Sequence, residues 1–405
     1  MNKKIVFITS AFPFGKSEVW AINEINSVLK TRNDVIIIPR TGKGKIINKD
    51  ATKFASNLID LPFLNLKIFI QLLGNIFINP FQFLKLLVDI VKLSNNMSDL
   101  IKCLVILPKS LFLVKILKAK EIDHIHSLST TSTAVMAHII SSILNVPWSY
   151  TLHSSSVLNS KHRRSILFHS KSASKCRTIS KISADDLSSF IGSTLSKKVF
   201  SVHLGVDVHG FKKEKNNFNN PIIIVTPAEL KEHKGHLYAI EAAKKLKEMH
   251  INDFKWYFYG SGPLLNVLKK KVKELNLINH CFFPGIIDHK DLLNDYKKNK
   301  VDIVISSSIN TTDVFEGIPV SLMEAMSYGI PVIATDCGAT KELVDGKSGI
   351  LINQNDANSI LKAIIKLLNN PEYSIEVGRN GRNKIKQDFD TEKNGHDLIK
   401  MFNLN

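Results

Sequence analysis

Cysteine is scarce in this chain of 405 residues: four are present, Cys103, Cys176, Cys281 and Cys337. None forms a C-x-x-C pair, which excludes a disulfide framework and a thiolate zinc site and fits a reducing cytosol. Long apolar runs are missing too. No uninterrupted stretch reaches the roughly 18–20 residues that span a bilayer, and the N-terminal run Ile5–Ile8 is too short for the apolar region of a signal peptide. It reads as a first β-strand. The G-x-G-x-x-G fingerprint is absent, because Gly260-Ser261-Gly262 is followed by Pro263 and Leu264 with no third glycine in place. A Walker A loop is absent as well, and both absences count against NAD enzymes and P-loop NTPases. Acidic residues are short in the first half: residues 1–210 hold 27 basic and 12 acidic residues, whereas 211–405 hold 27 and 24.

What is present is an ordinary globular composition, 44% hydrophobic and 22% charged, which excludes a disordered, collagen-like or coiled-coil chain. At about 150 residues per domain the length suggests two or three domains. Short β-branched runs alternate with helical stretches. Strands are expected at Lys4–Thr9, Asp34–Pro39, His124–Ser127, Trp148–Leu152, Lys175–Ile179 and Lys198–Val202, with helices such as Glu18–Lys30, Thr131–Leu144 and Ser183–Phe190, the last opened by Ser183 as N-cap. A polar, Lys- and Asn-rich segment, 206–220, reads as a linker. The alternation restarts at Ile222–Pro227 and continues through strands at 255–259, 280–283, 303–306, 332–335 and 349–352. This is an α/β chain of two doubly wound domains, 1–205 and 221–385, with 386–405 as a C-terminal helix returning to the first. Ligands of such sheets bind at the carboxyl ends of the strands, which places the expected active site in a cleft between the domains.

The basic excess of +15 in the first half, out of +18 overall, suggests a polyanionic partner. Between Leu61 and Lys120, Leu, Ile, Phe and Val are punctuated by Lys67, Lys85, Lys92, Lys102, Lys109, Lys115, Lys118 and Lys120. Phe81, Leu84, Leu87, Val88 and Val91 recur at helical spacing. We read amphipathic helices that lie on an anionic membrane surface; the same periodicity also fits helices packed on the core of the first domain, and it does not choose between them. Nucleic acid is disfavoured as the partner, since the basic residues are scattered and no helix-turn-helix, zinc-finger or RNP pattern occurs.

The most specific segment is Glu316-Gly-Ile-Pro-Val-Ser-Leu-Met-Glu324, followed by AMSYGIPVIAT. Pro319 suits a first helical turn, where its missing N–H goes unneeded. The amides of Val320 and Ser321 would then face out of a helix N-terminus, which favours phosphate oxygens. Glu316 before the turn can accept hydrogen bonds from sugar hydroxyls, and Glu324 about two turns along can accept from a ribose diol. Taken alone, the spacing equally describes a surface carboxylate beside a capped helix.

Its neighbours add to it. The E-x7-E segment, the small-G-x-P-V-I-A strand after it, Glu342-LVDGKSGIL, PAELKEHKGHLYAIEAA, YGSGPLLNVL, VHLGVDVHGF and the opening FPFGKSEVWAINEI stand in an order that resembles family 4 retaining glycosyltransferases of GT-B architecture, of the exopolysaccharide and cell-surface polysaccharide type. The resemblance covers nearly the whole chain. It implies a nucleotide-sugar donor and a growing glycan, lipid-linked through a polyprenyl carrier, as acceptor. It implies no cofactor and no metal, and peripheral action at the inner face of the plasma membrane.

The resemblance also implies roles. Lys234 would neutralise the donor diphosphate, a compact cation beside a leaving phosphate. His153 would contact the donor sugar near the reacting centre, with His126 a weaker candidate at another strand end. Gly15 would be the turn that approaches the diphosphate, and Gly317, Ile318, Val320, Ser321 and Glu324 would complete the donor site around Glu316. One departure stands out: where the family commonly has an arginine five residues before the lysine, this chain has Glu229, and Lys231, Lys16 or Arg163 are the candidates to compensate. Asp388-Phe389-Asp390 reads D-x-D but is expected to be a surface turn. The alternatives are a non-catalytic glycan- or nucleotide-binding protein on the same fold, motivated by Glu229, and a GT-B sugar epimerase.

Overall fold

The computed structural model describes residues 3–404 apart from 15–17, 19, 32, 43, 47–48, 64, 160–161, 209–217 and 312–314. The chain divides into two compact units, Met1–Gly205 with Glu392–Asn405, and Val206–Thr391. Most of the expected linker lies outside the described residues. The helix Pro371–Asp388 belongs to the second unit, because Gly378 and Gly381 lay its backbone directly against the carbonyls of Gly329 and Ser348. The following helix, Thr391–Met401, falls almost wholly in the first unit.

The first unit is built on a six-stranded sheet: β1 Lys4–Thr9, β2 Asp34–Pro39, β3 His124–Ser127, β4 Trp148–Leu152, β5 Lys175–Thr178 and β6 Val199–Ser201. Its order is β2-β1-β3-β4-β5-β6, all parallel. The second has β7 Ile222–Pro227, β8 Phe254–Tyr259, β9 Cys281–Gly285, β10 Ile303–Ser306, β11 Val332–Thr335 and β12 Ile350–Ile352 in the parallel order β12-β11-β10-β7-β8-β9. Runs such as Ile-Val-Phe-Ile in β1 and Ile-Ile-Val in β7 are what a parallel strand covered by helices on both faces requires. In each sheet the winding reverses beside the first strand, between β1 and β3 and between β7 and β10, and a crevice opens there outside the carboxyl ends of the strands.

Local chemistry moves some expected boundaries. The helix foreseen from Ser183 runs Lys181–Ile191, with Ser180 as the N-cap accepting from the Ser183 amide at 3.1 Å. The first helix starts at Ala21 because Glu18 has another task. Its carboxylate accepts from the amides of Ser10, Ala11 and Phe12 at 3.1, 2.8 and 2.9 Å and ties down the loop after β1. In the core Arg177 of β5 donates to Glu24 at 2.6 Å and to the carbonyls of Val202 and His203, so both charges are buried and paired. His124 and His126 are core residues. His126 binds Ser149 and Thr151 at 2.7 and 2.9 Å, and Phe402 stacks on His124 with ring centroids 4.2 Å apart. His126 therefore does not present its ring to a ligand.

The Leu61–Lys120 stretch forms the helices Leu66–Ile78, Pro80–Leu93 and Met97–Lys118, the first and third capped by Asn65 and Asn96. Packing on the core of the first unit holds for part of it, and the rest leaves apolar side chains exposed. Leu86, Ile90, Leu93, Ile106, Leu107, Leu111, Leu113 and Leu117 are in the core of the first unit, while Phe69, Phe77, Phe81, Leu84, Val91 and Ile101 stand in the open. Lys109 is not a surface lysine: it is fully buried, and its ammonium donates to the carbonyls of Pro39, Arg40, Thr41 and Leu61 at 2.9–3.1 Å. Burial pushes its pKa down to about 8, with Asp60 opposing. Among the described residues no helix is long and apolar enough to cross a membrane.

Candidate functional site

At the switch point of the second sheet, β7 ends in Pro227 and β10 in Ser306, and a cavity of about 250 Å³ opens between the loops that follow them. Thr226, Glu229, His233, Lys234, Ser307, Pro319 and Ser321 are in its wall. The loop after β7 closes in a short turn, Glu232–Lys234, and Gly235 (φ +62°) lies so close to the Ser307 carbonyl that a Cβ would sit 1.9 Å from it. Only glycine lets the two loops meet. The contact is fastened by Ser307 Oγ donating to the Lys234 carbonyl at 3.1 Å and by the Ile309 amide donating to His233 at 2.8 Å.

Lys234 and Glu316, 82 positions apart, form an ion pair with Nζ donating to Oε2 at 2.6 Å. They are 20% and 13% exposed, enough for a ligand to reach and too little for water to screen the pair fully. Glu316 is held from behind: the Ala339 amide donates to its carbonyl at 3.1 Å, and Gly338 (φ +55°) packs where a Cβ would overlap that carbonyl at 1.9 Å. Pro319 stands just before the helix Val320–Ser327 and not inside its first turn. Pro319 is its N-cap with an extended backbone, so the Val320 and Ser321 amides are the first of the orphan donors. Ser321 and Pro319 line the cavity, Gly317 is half-buried and Ile318 is buried.

Glu324 is not in the cavity wall. Its Oε1 lies 2.7 Å from Nε2 of His289, the first residue of the helix His289–Lys297, a partner that no motif or spacing foreshadowed. Glu229, in the place of the family arginine, pairs with Lys231 at 2.6 Å, and that hydrogen bond holds its carboxyl below the usual range. His233 is pushed toward the neutral form by burial and by Lys234 beside it. The positive potential facing the cavity thus comes from Lys234 and the helix N-terminus.

The other expected residues are elsewhere. His153 follows β4 in the first unit; its Nε2 donates to the Leu128 carbonyl at 2.8 Å and its ring lies against Trp20. Burial lowers its pKa, and with the proton on Nε2 the Nδ1 atom is left as an acceptor. Arg163 belongs to the first unit, where it donates to the Leu158 carbonyl and covers the Phe190 ring. Gly15 and Lys16 lie outside the described residues. Asp388 ends a helix and pairs with Lys384 at 2.9 Å, and Phe389 is buried, so D-x-D is a helix terminus. Among the described residues no three His, Cys, Asp or Glu side chains gather as a metal site.

Residues 209–384, which contain this cavity, match the family model of the glycosyl transferases group 1. The Anabaena protein HepE, solved in complex with UDP, superimposes with a TM-score of 0.73 at 17% identity over 99% of each chain. The chain has the GT-B fold. In sequence it is 32% identical over 212 residues to WcaL of Salmonella typhimurium, named provisionally as a colanic acid biosynthesis glycosyltransferase, which is 51% of each chain. It is 27% identical to an Escherichia coli UDP-Gal:alpha-D-GlcNAc-diphosphoundecaprenol alpha-1,3-galactosyltransferase, over 69% of this chain and 75% of that one. The chain spans about half the length of the first curated relatives it matches. In this GT-B fold the group 1 match falls on the second unit, the half that holds Lys234, Glu316 and the helix N-terminus.

Proposed function

We propose that this chain is a retaining glycosyltransferase that moves a sugar from a nucleotide-sugar donor to a growing, lipid-linked glycan in surface polysaccharide biosynthesis. The observation that carries the reading is the Lys234–Glu316 pair beside a helix N-terminus at the switch point of the second sheet. A donor diphosphate seated on the Val320 and Ser321 amides brings phosphate oxygens to Lys234, which exchanges one anionic partner for another. Glu316, released from the ammonium, accepts from sugar hydroxyls. As the bond from the sugar to the diphosphate breaks, negative charge grows on the leaving phosphate, and Lys234 and the helix dipole stabilise it. Glu324 accepts from the ribose. His153 offers Nδ1 as an acceptor to a sugar hydroxyl. The reading needs no metal, since fixed cations and dipoles take that place.

The first unit supports the lipid-linked acceptor and the site of action in this reading. Its basic excess and the open apolar side chains of its helices suit the anionic inner leaflet of a membrane, as a peripheral and not a spanning protein. The test begins with thermal shifts against UDP-, GDP- and ADP-sugars, since a true donor raises the melting temperature. Turnover of the donor that binds is then measured with EDTA present. Lys234→Ala and Glu316→Ala are each expected to lose about 100-fold, the scale of one preorganised electrostatic group. Near-normal turnover in both would remove the mechanism. Binding without any turnover by the wild type would favour a non-catalytic binding protein.

A further inference from the structure

At the carboxyl end of the first sheet, the loop after β1 is already occupied from within. The amides of Ser10, Ala11 and Phe12, three in succession, all donate to the Glu18 carboxylate, and Glu18 is buried. Successive amides that converge on one point form an anion-binding concavity. Where the loop after a first strand ordinarily offers such a concavity to a ligand, this chain fills it with its own carboxylate. The loop is tightened further by Thr9 Oγ1 donating to the Phe12 carbonyl at 2.6 Å and by the Phe14 amide donating to the Ala11 carbonyl at 2.7 Å.

What Glu18 holds in place is Trp20. The Ala21 amide donates to the Glu18 carbonyl at 3.0 Å, which anchors the chain on either side of Trp20. Six residues after Glu18, Glu24 fixes the same helix, Ala21–Lys30, to Arg177 at 2.6 Å. The half-buried Trp20 ring lies against His153, with centroids 4.5 Å apart and planes at 59°. His153 depends on that contact for its direction. Its hydrogen bond through Nε2 to the Leu128 carbonyl at 2.8 Å fixes one point of the imidazole and leaves rotation about that point. A second contact, on the ring itself, decides where Nδ1 points, and Nδ1 is the acceptor left for a ligand.

We propose that Glu18 and Trp20 are positioning residues for His153: Glu18 sets Trp20 by binding the loop after β1, and Trp20 sets the direction of Nδ1. The inference rests on the glycosyltransferase reading, in which Nδ1 accepts from a sugar hydroxyl, and names two residues on which that contact depends. Neither touches the reacting atoms. A misplacement of about 1 Å at such a contact costs up to about 100-fold in rate, so residues remote from the substrate can act through it.

The test joins spectroscopy and turnover on the full chain. With isotope-labelled histidine side chains, the Cε1–H signal of His153 is identified by its loss in His153→Gln. In the wild type the indole is expected to displace that signal from the position of an ordinary neutral histidine. Trp20→Leu should move it back. Glu18→Gln should move it too, but no further once Trp20 is replaced by Leu, and His280 in the second unit should keep its signal in every variant. At saturating donor, Glu18→Gln and Trp20→Leu should each lose turnover about tenfold, with the donor KM within about twofold of wild type. In a His153→Gln background each should cost less than about twofold, the non-additivity of residues that act through one group. Trp20→Phe, which keeps a ring at that place, should lose less than Trp20→Leu. If Glu18→Gln does not fold, Glu18→Asp, which shortens the reach to the same amides, takes its place. A His153 signal unmoved by either substitution, losses that multiply with that of His153→Gln, or full turnover in His153→Gln overturns the proposal. Failure of the glycosyltransferase reading would show separately, as absent turnover by the wild type, and the signal shifts would still decide whether Glu18 and Trp20 set the ring.

Discussion

Gly338 has no functional group, yet an added methyl there is expected to damage the site. Its Cβ would overlap the Glu316 carbonyl, and the positive φ is itself strained for alanine by about 1–2 kcal/mol. Gly338→Ala should therefore displace Glu316 from Lys234 and lower turnover at least about tenfold, with a lower melting temperature; unchanged turnover would mean that the pair does not need this support. Glu324 poses a different question, because its carboxylate is bound to His289. If it serves the ribose, Glu324→Ala should weaken the nucleoside diphosphate by about 1.5–3 kcal/mol in calorimetry, while His289→Ala weakens it much less. Equal losses would make the pair a structural tie. Glu316, Lys234 and Ser321 were legible because they sit in ordered motifs whose chemistry is local. His289 was not, since its partner Glu324 lies 35 positions along the chain.

The helices between Leu66 and Lys118 show what periodicity can and cannot tell. It marks an apolar stripe, and here one stripe fills the core while Phe77 and Phe81 are 79% and 88% exposed. Lysine spacing misleads in the same way, since Lys109 spends its charge on four carbonyls inside the fold. A test of membrane docking must therefore spare Lys109. Replacing the exposed Lys67, Lys85, Lys92 and Lys115 by Gln should reduce co-sedimentation with anionic liposomes, at about 1 kcal/mol for each cation near the surface, and high salt should do the same. Phe77→Ser with Phe81→Ser should weaken attachment at any salt concentration. A wild type that fails to sediment, or sediments equally with neutral and anionic liposomes, would leave the peripheral reading without support.

At the scale of the molecule, the two units differ in how they answer to acid. His124 and His169 in the first unit have their pKa values pushed down by burial to about 3, and His126 lies well below its ordinary value for the same reason. In the second unit the strongest counterpart is His236, lowered to about 4. A histidine depressed in the folded state stays neutral there while the unfolded chain takes up a proton below about pH 6.5, so stability is present above that pH and falls as pH drops toward the folded value. Each group contributes about 1.4 kcal/mol per pH unit across that window. Carboxylates held low, such as Asp123 and Asp345, act in the same direction but only below about pH 4. With three strongly depressed histidines against one, the first unit should lose stability more steeply between pH 6.5 and 5. Trp20 and Trp148 report on the first unit and Trp256 on the second, so urea unfolding of Trp256→Phe beside the wild type can separate them. The alternation of strands and helices made two such units foreseeable, but their acid response was not, because it depends on which histidines the sheets enclose. A stability that stays flat from pH 7 to 5, or a second unit that unfolds first, would show that these buried rings are protonated or solvated in the fold.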